Sequence, residues 1–311
     1  MKNINRRKFL SNSLLAATSL SLPIPLITKT EANSSSSTIS AGSTPEIIDT
    51  NVNLFEWPFR NLKYSRTNAL VTKLGKHRIT QAWAGSFEAL FHKNIDGVNA
   101  RLTEECRGNG NGMLLPFGTV NIAWPDWEED LRRCHEVYHM PGIRLYPGYQ
   151  TFDLDHPEFP QLVRQAAERK MIIQIVGNME DSRVHHPIVH VRDMKVEPLI
   201  DIMKQVPEAK VQLLYWNHKV GRNQLEKLIL ETKVSLDISR IEGSGSVGRL
   251  IEGDPWNGPA MPVPAERLFF GSHAPYFPIE ANVIKLFESP LALDQMQAIM
   301  NGNARQLLNK V

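Results

Sequence analysis

The stretch from residue 142 to residue 176 reads GIRLYPGYQTFDLDHPEFPQLVRQAAERKMIIQIV. Its two ends, GIRLY and MIIQIV, are short apolar runs rich in β-branched residues, which predict strands. Between them, residues 157 to 170 carry apolar side chains at three- and four-residue spacing, which predicts a helix. A strand, a helix and a second strand in this order are typical of a parallel sheet.

The same unit repeats along most of the chain. The eight predicted strands are IIDTN (47 to 51), ITQAWA (79 to 84), MLLPFGTV (113 to 120), GIRLY (142 to 146), MIIQIV (171 to 176), VQLLYW (211 to 216), VSLDIS (234 to 239) and RLFFGS (267 to 272). Further helical candidates are PDWEEDLRRCHEVYHM, EPLIDIMKQVP and NQLEKLILETK. We therefore predict an α/β fold, a single (β/α)8 TIM barrel over residues 46–311. Segments 85–112 and 240–266 are longer and Gly-rich, and we expect them to cover one end of the barrel without forming simple helices.

The composition fits a globular protein and excludes some partners. Of 311 residues 42% are hydrophobic, and the formal net charge is +2. The chain has no basic block interleaved with aromatic residues, so we expect no nucleic-acid partner. Its two cysteines, Cys106 and Cys134, lack the spacing of a zinc site. A bridge between them is conceivable, but both lie in polar, helical stretches, which favours two unpaired thiols.

The N-terminal residues resemble a twin-arginine export signal. Residues 5 to 10 read NRRKFL, and the weakly apolar run SNSLLAATSLSLPIPLI follows. This run is broken by Ser and Pro and is shorter than the roughly 20 residues of a membrane-spanning helix, so we expect no integral membrane span. We predict a signal peptide over 1–32, a flexible linker over 33–45, and an exported, periplasmic protein.

Candidate functional residues follow from the barrel prediction, because barrel enzymes place their chemistry on the loops after the strands. Strand ends supply Asn51, Asn53, Arg144, Tyr146, Gln174, Asn217, Asp237 and His273, and the loop after the fifth strand adds Glu180, Arg183 and His186. We predict catalytic roles for Asn51, Asn53, Asp237 and His273. The other seven residues are predicted to bind substrate.

Each of the main candidates has a second interpretation. Arg144 suits a carboxylate clamp, but an internal ion pair with Asp237 is almost as good an explanation. Asp237 is the best general-base candidate, and His273 could move a proton near neutral pH or could be a structural histidine. Asn51 and Asn53 share one strand face and could together orient a carbonyl group or a water molecule.

Five of these segments, taken together, resemble the amidohydrolase-related family. IIDTNVNLF is similar to its first-strand IDxHxH segment, GIRLYP to its fourth strand and VSLDIS to its seventh strand, while RLFFGSHAP is similar to its eighth-strand GSDxP segment and IMNGNARQLL to its closing helix. The resemblance implies a barrel hydrolase. The family's metal ligands correspond here to Asn51, Asn53, Gln174 or Ile175, Asn217 and His273, with His218 one residue from the sixth-strand position.

This replacement of ligands changes the expected chemistry. A carboxamide oxygen is a poor ligand for zinc and similar metals, so we expect no cofactor, with a divalent metal as a weak possibility. Asn51 and Asn53 could then simply fill the space of a lost metal. We predict a metal-independent hydrolase or lyase acting on a small carboxylated or cyclic substrate. The alternative is a catalytically inactive barrel that binds a small ligand or a partner.

Overall fold

Eight parallel strands follow one another around a single sheet in chain order. They are β1 (Ile47–Leu54), β2 (Ile79–Ser86), β3 (Leu114–Gly118), β4 (Gly142–Leu145), β5 (Ile172–Val176), β6 (Lys210–Leu214), β7 (Ser235–Asp237) and β8 (Leu268–Phe269). The chain segment after β8 returns to β1, because His273 N–H donates to Asn51 O at 2.9 Å and Asn53 N–H to Ala274 O at 2.9 Å. The fold is therefore a (β/α)8 barrel, as predicted.

The structure is a computed structural model, and it describes residues 46–189, 191, 194–217, 220–254 and 260–309. The predicted signal peptide and linker lie outside these residues, as does His218. The described helices are α1 (Thr67–Lys76), α2 (Ile95–Asn109), α3 (Trp127–Glu136), α4 (Phe159–Glu168), α5 (Glu197–Gln205), α6 (Arg222–Glu231), α7 (Ser246–Glu252), α8 (Ile279–Phe287), α9 (Leu293–Gln297) and α10 (Asn303–Asn309). None of them is long and apolar enough to cross a membrane.

The prediction for the two long segments is wrong, because each contains a regular helix. Helix α2 lies within 85–112 and has 15 residues. Asn94 caps it by accepting the Gly97 N–H at 2.9 Å, and the buried face repeats at three- and four-residue spacing. Helix α7 lies within 240–266. Their glycines misled the prediction, since most of them lie at helix ends or on the packed face.

The barrel interior changes from apolar to polar along its axis. At its amino-terminal end Ile48, Trp83, Phe117, Ile172 and Phe269 pack together, with Trp83 stacked on Phe117 at 4.9 Å between ring centroids. The next inward-facing position on each strand is two residues further along, because strand side chains alternate. Several of these next positions are polar, which places the candidate residues above an apolar floor.

The two cysteines are buried and free, so the prediction of unpaired thiols is confirmed. Burial raises the pKa of the Cys106 thiol to about 12. It raises the pKa of Cys134 still further. Neither thiol is a reactive nucleophile in this environment.

Candidate active site

A belt of hydrogen-bonded polar side chains crosses the barrel interior just above the apolar floor. Gln174 accepts from Arg144 Nε at 2.8 Å and donates through Nε2 to Gln212 Oε1 at 2.8 Å and to Thr50 O at 2.7 Å. Gln212 Nε2 donates in turn to Thr50 Oγ1 at 2.8 Å. All four residues have no exposed surface. Gln174, predicted to bind substrate, therefore has every amide hydrogen engaged inside the barrel.

Arg144 is the cation of this belt. A guanidinium has five N–H donors, and the acceptors around this one are all uncharged: Gln174 Oε1 (2.8 Å), Val52 O (2.8 Å), Asn53 Oδ1 (2.9 Å), Trp83 O (3.0 Å) and Thr50 O (3.5 Å). Within the described part of the chain Arg144 forms no ion pair, with Asp237 or any other carboxylate. The ion pair of Arg144 with Asp237 is therefore not formed, and all five N–H groups of Arg144 have protein acceptors, while its predicted role as a carboxylate clamp stays a prediction.

A glycine makes room for Arg144. A Cβ atom at Gly85 would lie 2.6 Å from Arg144 Nη1 and 2.8 Å from Tyr146 Oη, closer than packed atoms approach. Tyr146 is fully buried beside the guanidinium and donates to Ser86 O at 3.3 Å. Burial raises the pKa of its phenol. The structure thus places Tyr146 in the barrel packing and not at a substrate surface.

Asn51 and Asn53 meet at the hydroxyl group of Tyr215, above the belt. That hydroxyl donates to Asn51 Oδ1 at 2.5 Å and accepts from Asn53 Nδ2 at 3.1 Å. The remaining amide atoms are also used, since Asn51 Nδ2 donates to Asp237 Oδ2 at 2.7 Å and Asn53 Oδ1 accepts from Arg144. The two asparagines converge as strand alternation predicts. Their contacts favour the interpretation that they fill the interior, because every bond goes to the protein.

Asp237 holds this group together. Its Oδ1 accepts the Tyr215 backbone N–H at 3.1 Å, and its Oδ2 accepts from Asn51. A Cβ at Gly271 would lie 2.8 Å from Asp237 Oδ2, so only glycine allows this approach. Burial raises the pKa of Asp237, opposed by its hydrogen bonds to Ser239 and Asn51. These contacts of Asp237 position Tyr215, and its predicted role as a base acting on substrate stays a prediction.

A second buried carboxyl group, Asp49, ties β1 to the segment after β8. Its Oδ1 accepts the backbone N–H groups of Asn51 at 3.0 Å and Ser272 at 2.9 Å. Its Oδ2 has no hydrogen-bond partner among the described residues. Burial raises the pKa of Asp49 to about 7, against the lowering effect of these hydrogen bonds. Asp49 therefore carries a proton over most of the acidic range and acts as a neutral connector.

His273 is the imidazole at the end of the eighth strand, and it is packed between aromatic rings. It has no exposed surface. Its ring centroid lies 3.9 Å from that of Tyr215 and 4.8 Å from that of Tyr276, with the Tyr276 plane tilted by only 12°. Neither Nδ1 nor Nε2 has a hydrogen-bond partner in the part of the chain that the structure describes. A buried polar side chain left without partners is unusual in a folded protein and marks a place for a ligand or water.

The charge state of His273 follows from its surroundings. Burial, then the positive charges of Arg240, Arg144 and Arg60, lower its pKa well below the usual 6.5. The imidazole is therefore neutral at physiological pH, so one ring nitrogen carries a hydrogen and the other has a free lone pair. His273 can accept a proton without first losing one.

His273 and Tyr215 both have left-handed backbones. Their φ angles are 59° and 52°. Residues other than glycine pay roughly 1–3 kcal/mol for such a conformation, and they are concentrated at functional sites. Two strained residues in direct ring contact favour a functional assignment of this end of the barrel.

An apolar layer, which we call the cap, covers these residues. The cap comprises Trp57, Leu62, Phe87, Met179, Val189 and Tyr276, from the loops after β1, β2, β5 and β8. The Trp57 ring packs edge-on against Phe87 at 5.2 Å and against Tyr276 at 5.3 Å. The cap and the rings around His273 leave it with no exposed surface.

Glu180 lies at the cap and joins it to the site. It is 3% exposed, accepts from the Tyr276 hydroxyl through Oε2, and leaves Oε1 without a partner among the described residues. Burial and the Glu180 contact raise the pKa of Tyr276. Arg60 lies over the other face of the Tyr276 ring, 4.4 Å from its centroid. The structure thus brings Glu180 near His273, in keeping with its predicted place at the mouth.

Three predicted substrate-binding residues are not brought to the site. Asn217 is directed to the loop after β7, where its Nδ2 donates to Arg240 O at 3.0 Å. The Arg183 side chain is 87% exposed and pairs with Asp181 at 2.6 Å. His186 is exposed and stacks on Phe59 with 5.0 Å between centroids. Nearness in sequence to a strand end therefore did not determine the place of these three side chains.

Sequence reasoning missed two residues of the site. Tyr215 lies in the predicted sixth strand, but its left-handed backbone has no sequence signal. Arg240 directly follows the predicted seventh strand, so its position could have been noticed. It is 8% exposed, and its one hydrogen bond to the described residues is from Nη1 to Asn178 O at 3.1 Å.

The fold is shared with several solved structures. The 2,6-dihydroxybenzoate decarboxylase from Rhizobium has a TM-score of 0.62 and 12% identity, covering 86% of this chain and 99% of its own. The dihydroxybenzoic acid decarboxylase from Polaromonas sp. JS666 was solved with bound manganese and 2-nitroresorcinol. It has a TM-score of 0.63 and 12% identity, and the match covers 86% of this chain and 97% of its own. An amidohydrolase II has a TM-score of 0.61 and 13% identity, and the match covers 85% of this chain and 100% of its own. At these identities the likeness establishes the barrel fold. No family model matches the sequence, and no curated protein matches it.

The residues of this chain do not fit such a manganese site. Manganese prefers carboxylate, imidazole and water ligands, but Asn51 and Asn53 occupy the first-strand positions with their oxygens already hydrogen-bonded. The Arg144 guanidinium, bound to Asn53, would also repel a cation at this place. In the described ranges no group of three or more His, Cys, Asp or Glu residues could hold a metal ion. Among the residues predicted to correspond to the family's metal ligands, His273 alone has unused donor atoms in the described structure.

Proposed function

We propose that this chain is an amidohydrolase-related enzyme, a hydrolase or lyase acting on a small carboxylated or cyclic substrate. The shared barrel and the five family-like segments support this assignment. The observation that carries it is His273, a fully buried, neutral imidazole with two unused ring nitrogens on the strand-end face where barrel enzymes react. The shared fold alone would not name a reaction.

In this proposal His273 transfers the proton. Its lowered pKa leaves the ring unprotonated at neutral pH, so it can take a proton from water or from a substrate hydroxyl group and return it to the leaving group or to carbon. Tyr215 supports the imidazole face at 3.9 Å. Asp237 and the two asparagines fix Tyr215 through its hydroxyl and backbone N–H. These residues act by positioning and do not need to contact substrate.

We further propose that this chemistry is metal-independent. Support comes from the donor atoms: the amide oxygens of Asn51 and Asn53 accept hydrogen bonds from Tyr215 and Arg144, and both oxygens of Asp237 accept N–H groups. Binding a metal here would break several buried hydrogen bonds. Each such loss costs about 1–3 kcal/mol.

A non-catalytic barrel is the competing proposal. The observation in its favour is the cap together with the internally bonded asparagines, which leave Asn51, Asn53 and Asp237 almost no exposed surface. A barrel of this kind would hold a small ligand without reacting with it.

Turnover separates the two proposals. The purified chain is assayed on a panel of lactones, esters and aromatic carboxylic acids, and we expect conversion of at least one of them. If no member is converted while one of them raises the melting temperature, the barrel binds without catalysis, because ligand binding stabilises the folded state by mass action.

We also propose that the protein is exported and periplasmic. The support is the sequence NRRKFL at residues 5 to 10 and the weakly apolar run after it. In this proposal residues 1–32 are the signal peptide, residues 33–45 are a linker, and the barrel begins at residue 46.

A further inference from the structure

A cavity of about 350 Å³ lies between the loop after β7 and helix α8. Buried lining residues are Ser239, Arg240, Asn282 and Lys285, and exposed ones include Glu242, Ile284 and Glu288. Its volume is at the lower end of the roughly 300–1,000 Å³ of small-molecule sites. The cavity is distinct from the cap and opens on another side of the strand ends.

Arg240 is the group in this cavity that lacks partners. It is 8% exposed, yet its hydrogen bonds to the described residues amount to one, from Nη1 to Asn178 O. Four of the five N–H donors of a guanidinium are then left without a protein acceptor. Arg144, which has no exposed surface, has an acceptor for each of its donors. Since a largely buried cation needs hydrogen bonds, the free N–H groups of Arg240 can donate to an anionic ligand in the cavity.

Lys285 adds a second positive charge to the cavity. It is 7% exposed, and its ammonium donates to Ile238 O, to Ser239 O at 3.4 Å and to Asn282 Oδ1 at 2.6 Å. These three bonds use all its hydrogens, so Lys285 acts on a ligand by its charge. Burial lowers the pKa of Lys285 to about 8. Because this value is still above 7, most Lys285 side chains are protonated at neutral pH.

The cavity touches the proposed reaction centre through Phe277. This ring lines the cavity and packs edge-on against His273, with 4.9 Å between centroids. Ile241 and Ile284 add apolar surface. A ligand with its anionic group on Arg240 and an apolar body along Phe277 would contact the same ring that packs against His273.

We infer that Arg240 binds the carboxylate of a small, singly charged aromatic or cyclic acid in this cavity, against the Phe277 ring that packs on His273. The two exposed glutamates at the cavity disfavour ligands with further negative charges. This inference rests on the proposed function, since it assigns the group that recognises the substrate of that same site. It replaces Arg144 as the carboxylate-binding residue.

Binding of benzoate to the whole chain tests the inference by titration calorimetry, with benzamide as the uncharged analogue. Arg240→Gln should weaken benzoate binding by ten- to a hundredfold, since a hydrogen bond to a charged group contributes about 1.5–3 kcal/mol. It should leave the weaker benzamide binding unchanged. Arg164→Gln is the control, because Arg164 lies on helix α4 and donates to Gln205 Oε1 at 3.0 Å on the exposed surface. Circular dichroism shows that each variant is folded.

The outcomes keep this inference separate from the proposed function. Equal benzoate affinity in wild type and Arg240→Gln, or equal affinity of wild type for benzoate and benzamide, would overturn the inference. If benzoate binding depends on Arg240 but no panel compound is turned over, the cavity assignment is supported and the proposed enzymatic function is contradicted. Turnover that requires His273, with the same KM in wild type and in Arg240→Gln, would support the enzyme and overturn the assignment of the cavity.

Discussion

Arg144→Met is expected to lower the free energy of unfolding by at least about 4 kcal/mol. The substitution leaves four oxygens that now accept at 3.0 Å or less without their donor: Gln174 Oε1, Val52 O, Asn53 Oδ1 and Trp83 O. Each unsatisfied buried acceptor costs about 1–3 kcal/mol, which a methionine of similar length does not recover. The expected loss is a large part of the roughly 5–15 kcal/mol that stabilises a typical protein.

Urea unfolding followed by circular dichroism measures this loss. Arg240→Gln is the matched control, and we expect it to stay within about 1 kcal/mol of wild type, because Arg240 has a single hydrogen bond to the described residues. Arg144→Lys keeps the charge but has three donors, so its free energy of unfolding should lie between those of Arg144→Met and Arg240→Gln. An Arg144→Met protein with wild-type stability and impaired carboxylate binding would contradict the structural role and restore the clamp.

His273→Phe is expected to lower kcat/KM by about a hundredfold or more, the usual effect of removing a proton-transfer group. The fold should be retained, because neither ring nitrogen of His273 has a partner among the described residues and a phenyl ring preserves the stacking on Tyr276. His186→Phe is the control. It makes the same change at an exposed histidine that stacks on Phe59, and it should leave kcat/KM unaltered.

The pH dependence gives the same test a second readout. Because the folded pKa of His273 lies well below 6.5, the neutral, active form persists above that pH and kcat/KM falls only as pH drops through the lowered pKa. At His273 the unfolded chain binds a proton near pH 6.5 that the folded chain does not, so His273 causes a loss of stability as pH falls below 6.5. His273→Phe should lack this loss. Equal kcat/KM for wild type and His273→Phe would show that His273 does not transfer the proton.

Much of the fold could be predicted, because strand and helix periodicity are local properties of the sequence. The prediction for 85–112 failed where glycines were taken as loop signals, although Asn94 begins a helix there. Convergence of Asn51 and Asn53 was also predictable, since two residues separated by one along a strand share a face.

The depth and direction of site residues were not predictable. Alternation gives the face on which Arg144 lies but not its height in the barrel, and hydrogen bonds from Arg144 to Thr50, Val52 and Trp83 place it within the interior. Tyr215 enters the site through a φ of 52°, which no local pattern specifies. Asn217 lies two residues further along the chain and is already directed to the next loop.

We propose that Asn51, Asn53, Tyr215 and Asp237 hydrogen-bond to one another and hold no metal ion. Metal analysis of the purified chain, after incubation with Mn²⁺ and Zn²⁺ and removal of free ions, tests it most directly. We expect far less than one equivalent of either metal. About one equivalent of tightly held metal, lost in both Asp237→Asn and His273→Phe, would contradict it.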